Sequence, residues 1–137
     1  MTLTELRYLV ALARERHFGR AAEASHVSQP TLSAAIRKLE EELGMPLFER
    51  RPREVKVSPE AEPLVAQAQR ILEQVEVLEQ IVELAPQDPV ATLQLARVYA
   101  QREDWAALER LAEQATAQET ADGSARDLQH QVADALW

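Results

Sequence analysis

The chain of 137 residues contains no cysteine. Disulfide scaffolds, thiol nucleophiles, thiolate metal sites and cysteine redox sensing are thereby excluded, and a reducing cytoplasm is the simplest compartment. Glycine is nearly as scarce, with only Gly19, Gly44 and Gly123. Phosphate-cradling loops need several glycines for the backbone to approach the anion, so nucleotide chemistry has no home here. No apolar run approaches the roughly 20 residues of a membrane span. Met1-Thr2-Leu3-Thr4-Glu5 lacks the features of a signal peptide. His17, His26 and His130 lie on different elements without metal-ligand spacing, and the carboxylates follow solvated helix faces. No catalytic residue, metal or cofactor is therefore expected.

What is present is an apolar share of 46%, enough for a globular core. The net charge of −8 argues at first sight against a nucleic-acid partner, because phosphate binding depends on Lys and Arg. The charge is unevenly spread. Residues 1–57 carry ten basic and eight acidic side chains, whereas residues 58–137 carry five and fifteen. Such asymmetry points to one part facing nucleic acid and another facing something else.

Leu3, Leu6, Leu9, Val10 and Leu12 recur at helical spacing and predict a helix over 4–15. His17-Phe18-Gly19 interrupts it, a short helix follows over 20–24, and Ser25-His26-Val27-Ser28 makes a turn. Ser28 suits an N-cap and Pro30 a first helical turn, and Leu32, Ile36, Leu39 and Leu43 line one face of a helix that stops at Gly44. Two helices joined by a four-residue turn form a helix-turn-helix pattern. The alternation of Glu54, Val55, Lys56 and Val57 reads as a strand, with Arg50-Arg51-Pro52-Arg53 as a basic hairpin tip, making a wing.

Ser58-Pro59-Glu60 predicts the N-cap and first turn of a long helix over 59–84. Leu64, Ala68, Ile71, Val75, Leu78 and Val82 follow a heptad rhythm and are expected to pair with a second copy of the chain. The chain's own C-terminal helices are the competing cover for the far end. Asp88-Pro89 starts a further helix over 90–101, Trp105 to Ala117 forms another, and Asp122-Gly123-Ser124 caps a last one over 125–137. The expected fold is mainly α: a winged helix-turn-helix (1–58), a linker and dimerisation helix (59–85), and an antiparallel helical hairpin with a capping helix (86–137).

The run from Leu6 to Ala22 with His17-Phe18, then Val27-Ser28-Gln29-Pro30-Thr31-Leu32-Ser33, Ile36, Leu39-Glu40, Leu43-Gly44 and Leu47-Phe48-Glu49-Arg50, closely resembles the DNA-binding domain of LysR-type transcriptional regulators. Residues 1–85 share the likeness, which is nearest to the peroxide-responsive branch. The resemblance implies that the linker helices of two subunits pair antiparallel and that the recognition helix enters the major groove. It places Ser28, Gln29, Pro30, Thr31 and Ser33 at the DNA surface, with Arg37 and Lys38 further along the helix and Arg50, Arg51 and Arg53 on the flanking backbone or minor groove. Their chemistry suits these roles: Gln29 can pair bidentately with an adenine edge, Pro30 can touch a thymine methyl, and hydroxyls can bond phosphates or bases. Glu60-Ala61 departs from the family, which usually has Ala-Gly there.

Such regulators continue into a two-lobed effector domain, for which the remaining fifty or so residues leave no room. Those residues instead resemble a tetratricopeptide repeat (TPR), through Pro86-Gln87-Asp88-Pro89, Leu95-Ala96, Tyr99, Asp104-Trp105, Leu108, Ala112 and Ala115, with Tyr99 and Trp105 expected to fill between paired helices. Leu108 stands where the repeat usually has Ala, and Ala112 where it has an aromatic. An unnamed helical hairpin, and a natural fusion as against an engineered chimera, stay open at this point. The expected function is sequence-specific binding of double-stranded DNA, at an interrupted palindrome, by a cytoplasmic homodimer or higher oligomer. The alternative is a protein-interaction or assembly module that uses the winged domain only as a dimerising scaffold.

Overall fold

The computed structural model describes residues 1–122 and 133–136, and most of the expected helix over 125–137 lies outside them. Among residues 1–122 the main elements run in the order α1 (Leu3–Glu15), α2 (Phe18–Ala24), α3 (Gln29–Leu43), β1 (Phe48–Arg51), β2 (Glu54–Val57), α4 (Glu62–Leu84), α5 (Pro89–Gln101) and α6 (Trp105–Asp122). Two compact units emerge, Met1–Leu72 and Glu73–Trp137, with the division inside α4.

In the first unit, α1 opens on a capping box in which Glu5 N–H donates to Thr2 Oγ1 and Thr2 N–H to the Glu5 carboxylate, both at 3.1 Å. Leu3, Leu6, Leu9 and Leu12 of α1 are fully or almost fully buried with Leu32, Ile36 and Leu39 of α3 and Ala21 of α2. The small Ala21-Ala22 pair lets α2 pack against both neighbours. His26, at φ 57°, makes the left-handed bend of the α2–α3 turn, and Gly44 ends α3 at φ 67°, where glycine carries no Cβ penalty.

The wing is an antiparallel pair in register Phe48↔Val57 through Arg51↔Glu54. Arg50 and Arg51 therefore belong to β1 rather than to the hairpin tip, which is Pro52 and Arg53. A surface strand rich in charge carries no clear apolar alternation. Among the bonds that fasten the wing are Val55 N–H to the Arg16 carbonyl at 3.0 Å, the Arg16 guanidinium to the Glu54 carboxylate at 3.2 Å, Leu47 N–H to the Glu40 carboxylate at 2.9 Å, and Ser58 Oγ–H to the Pro46 carbonyl at 2.8 Å. Ser58 is thus occupied as a buried tether and makes no side-chain cap. A 3-10 turn over Pro59–Ala61 precedes α4, which accommodates Pro63 in its first turn, where a missing N–H is harmless. At 1.5 Å per residue α4 is about 35 Å long.

The second unit is built on α5, α6 and the far part of α4. Asp88 caps α5 by accepting from Val90 N–H at 3.0 Å, and Ala91, Leu95, Ala96 and Tyr99 are buried with Ala107, Leu108 and Leu111 of α6. Tyr99 Oη–H donates to the Glu79 carboxylate at 2.6 Å. Trp105 corrects an expectation: it is 50% exposed and does not fill the space between helices. As the first residue of α6 it lies beyond the paired stretch that Leu108 and Leu111 occupy. Within the single chain Val75 is 2% and Leu78 7% exposed, whereas Val77 is 53% and Leu84 86% exposed.

Val75→Ala should therefore lower the stability of the second unit by about 2 kcal/mol, the loss of buried methyls plus a small cavity. Val77→Ala should change it by less than about 0.5 kcal/mol. Urea unfolding followed by circular dichroism checks both.

Candidate nucleic-acid interface

The first turn of α3 is where short polar side chains meet open solvent. Ser28 caps it, its Oγ accepting from Thr31 N–H at 3.3 Å and sharing a 2.8 Å hydrogen bond with Thr31 Oγ1. The two hydroxyls thus hold the helix start, and each keeps further hydrogen-bonding capacity. Ser28, Gln29, Pro30 and Thr31 are all exposed, and Ser33 is half-buried. Gln29, Ser33 and Arg37, spaced by four, run as one stripe along α3 from the side of the buried Leu32, Ile36 and Leu39 to the open face, and Gln29 is exposed because it stands at the helix start. The positive end of the helix dipole adds to the attraction of this end for anions, although Pro30 offers no N–H and that of Thr31 is already held by Ser28.

The basic residues divide by what already holds them. Lys38 lies 3.0 Å from Glu5 of α1 and 3.7 Å from Glu42, so its charge is spent inside the domain. Arg51 pairs with Glu49 at 3.3 Å, and the Arg50 guanidinium stands 5.1 Å from the ring centroid of Phe18, a cation–π contact that joins wing to α2. Arg37 and Arg53 are exposed, and neither forms an ion pair among the described residues. Arg53, at the wing tip, and Arg37, on the α3 stripe, are the charges best placed to meet phosphates.

Glu5 was not singled out by sequence, since its partner is 33 residues away and no local pattern pairs them. Burial alone raises its carboxyl, but the hydrogen bonds from Lys38 and the Thr2 N–H, with the charges of Lys38 and the N-terminus, outweigh this and hold it below the ordinary 4.5. The Lys38 ammonium is raised in turn, by its hydrogen bond to Glu5 first and by the charges of Glu5 and Glu42.

The apolar heptad of α4 is less uniformly open than the sequence suggests. Ala68, Val75 and Leu78 are buried by the chain itself, Leu64, Ile71 and Val82 are half-buried, and Val77, Ile81 and Leu84 are exposed on another face. No helix among the described residues is long and apolar enough to cross a membrane.

The family profile described as "Bacterial regulatory helix-turn-helix protein, lysR family" matches residues 3–62. The solved complex of the BenM DNA-binding domain with benA site 1 DNA is 38% identical, with a TM-score of 0.60, and 99% of that domain is covered by 64% of this chain. The chain belongs to the LysR family. Among curated LysR-type relatives, the Escherichia coli "DNA-binding transcriptional dual regulator OxyR" is 53% identical over 81 residues, which are 59% of this chain and 27% of OxyR. Full-length OxyR C199D from Pseudomonas aeruginosa is 55% identical, with a TM-score of 0.58, over 62% of this chain and 29% of that one. This LysR-type chain thus spans only about a quarter of those regulators' length, and its similarity to them concerns the winged helix-turn-helix and linker helix.

Because the folded pKa of Glu5 is depressed, its pairing stabilises the domain at neutral pH, and that contribution is lost as pH falls below about 4.5 and the carboxylate protonates. Lys38 has the opposite sign: its contribution is present below its ordinary value and is lost only at strongly alkaline pH. Glu5→Gln keeps a capping-box side chain but removes the charge. It should be less stable than the parent at pH 7, with the difference shrinking towards pH 3, as measured by thermal melts across that range.

Proposed function

We propose that the chain binds double-stranded DNA with sequence preference, as a homodimer in the cytoplasm. The first turn of α3 enters the major groove and the wing lies on the flanking backbone or minor groove. The observation that carries this reading is the outward, unshielded first turn of α3, with Gln29, Pro30, Ser33 and Arg37 exposed or half-exposed beside a basic wing tip. The BenM and CbnR DNA-binding domains that this chain resembles are described in complexes with DNA, which supports the same placement. Gln29 is assigned to base recognition. Pro30 touches a thymine methyl, Ser28, Thr31 and Ser33 bond phosphates or base edges, and Arg37 and Arg53 neutralise phosphates. Arg50 and Arg51 serve as secondary backbone contacts, and Lys38 is the weakest of the set because Glu5 and Glu42 already neutralise it.

Dimerisation is assigned to α4. Two such readers would then address an interrupted palindrome. The half-buried Leu64, Ile71 and Val82 and the exposed Val77, Ile81 and Leu84 are apolar residues on α4 still open to a partner, while Ala68, Val75 and Leu78 already serve the chain's own core. Residues 1–58 then form the reader, 59–85 the pairing helix and 86–137 a TPR-like helical segment. The TPR-like assignment is supported by the small Ala96 and Ala107 buried in the helices α5 and α6 beside Leu95 and Leu108.

Arg37→Ala should reduce the slope of log affinity against log salt by about one, and Lys38→Ala should leave it unchanged. Gln29→Ala with Ser33→Ala should abolish preference among duplexes selected from a random pool without changing the sedimentation of the protein. Salt-independent binding, or an unaltered preference in the double variant, would point instead to the interaction-module reading.

A further inference from the structure

We propose that His17 is a positioning residue for Gln29, and through it a determinant of the base pair the chain prefers. The inference rests on the base-reading role given to Gln29 above.

His17 stands immediately before α2, and its Nδ1 accepts the backbone N–H of Arg20 at 3.1 Å. While Nδ1 accepts this bond, the ring cannot rotate away without uncapping the helix. The ring is thus fixed in place although it lies at the surface.

Gly19 provides the space it occupies. A Cβ at position 19 would lie 2.9 Å from Cε1 and 3.2 Å from Nδ1 of His17, so the imidazole sits directly over this residue. The same point lies 3.6 Å from Oε1 of Gln29. An imidazole from the entrance to α2 and a carboxamide from the first turn of α3 therefore border one small volume, although they are twelve positions apart in sequence.

Capping alone does not call for histidine. Serine, asparagine and aspartate cap helices well and are the favoured residues at such a position. What the imidazole adds is bulk over Gly19, beside the volume that the Gln29 carboxamide also borders, and that carboxamide has to present its oxygen and nitrogen together to one base edge. Glutamine is long and rich in rotamers, and confining it before binding reduces the ordering that recognition must impose. His17 thus acts through Gln29.

The test uses the full chain and a duplex recovered by that chain from a randomised pool, with affinity read by fluorescence anisotropy. The parent, His17→Ser, Gln29→Ala and the combined variant form a double-mutant cycle. Serine keeps a capping oxygen, so thermal unfolding of His17→Ser should match the parent, while its affinity for the selected duplex should fall by about threefold to tenfold. Its preference should broaden at the same base pair that Gln29→Ala affects, and the combined variant should bind no more weakly than Gln29→Ala alone. His17→Asn, which also retains a capping oxygen, replaces the serine variant in the cycle if that variant does not fold. Additive losses, unchanged affinity in the capped variant, or broadening at a different base pair would overturn the role of His17 while leaving Gln29 as a reader. If Gln29→Ala itself changes neither affinity nor preference, the base-reading role fails and the inference fails with it.

Discussion

The aliphatic stripe of α3 is the constraint from which the rest of the first unit follows. Leu32, Ile36 and Leu39 are fully buried among the leucines of α1 and the alanines of α2. Burying that stripe fixes the rotation of α3 about its own axis, because only one face is apolar. Pro30 and Thr31 of its first turn are then left on the far side, and Gln29 at the helix start, all exposed to solvent. The DNA-reading chemistry proposed for this chain is thus a by-product of core packing: what the core rejects is what the solvent face presents.

A second layer of constraint is polar and non-local. Glu5 closes the start of α1 and at the same time holds Lys38 of α3, while Glu40 and the Arg16 carbonyl each accept a bond from the wing. These bonds give the helices and the hairpin a single geometry that apolar contact, being non-directional, does not specify. They also sort the basic residues. A cation already matched to a carboxylate at 3.0 Å gives up part of that pairing when it meets phosphate, whereas Arg37 and Arg53 have no ion pair among the described residues to give up. The net basic excess of residues 1–57 therefore overstates how many charges are free, and their placement matters more than their number.

The linker helix shows the same competition in apolar terms. Its side chains have more than one partner to choose from. Val75 and Leu78 are claimed by the chain that carries them, and the face bearing Val77, Ile81 and Leu84 is left open. A heptad rhythm reports that a helix has a face to bury, but it does not name what buries it. Acidic residues concentrate in the second unit, where they keep exposed helix faces solvated and weaken any attraction of that segment to DNA.

Period and capping chemistry determined the helices, the four-residue turn and the likeness to LysR-type readers, since these depend on residues within a few positions of each other. Ser28 as the cap of α3, Gly44 as its stop and Asp88 as the cap of α5 were legible for that reason. The strand character of Arg50 and Arg51, the buried tether made by Ser58, the exposure of Trp105, the capture of Lys38 by Glu5 and the approach of His17 and Gln29 to Gly19 were not. Each of these depends on a partner brought near only by packing, or on the surroundings that packing leaves around a side chain. Local sequence decided which elements form and which faces they would bury; the tertiary structure alone decided which of the remaining side chains were free to meet another molecule, because in a folded chain every charge and every apolar face first has its own neighbours to satisfy.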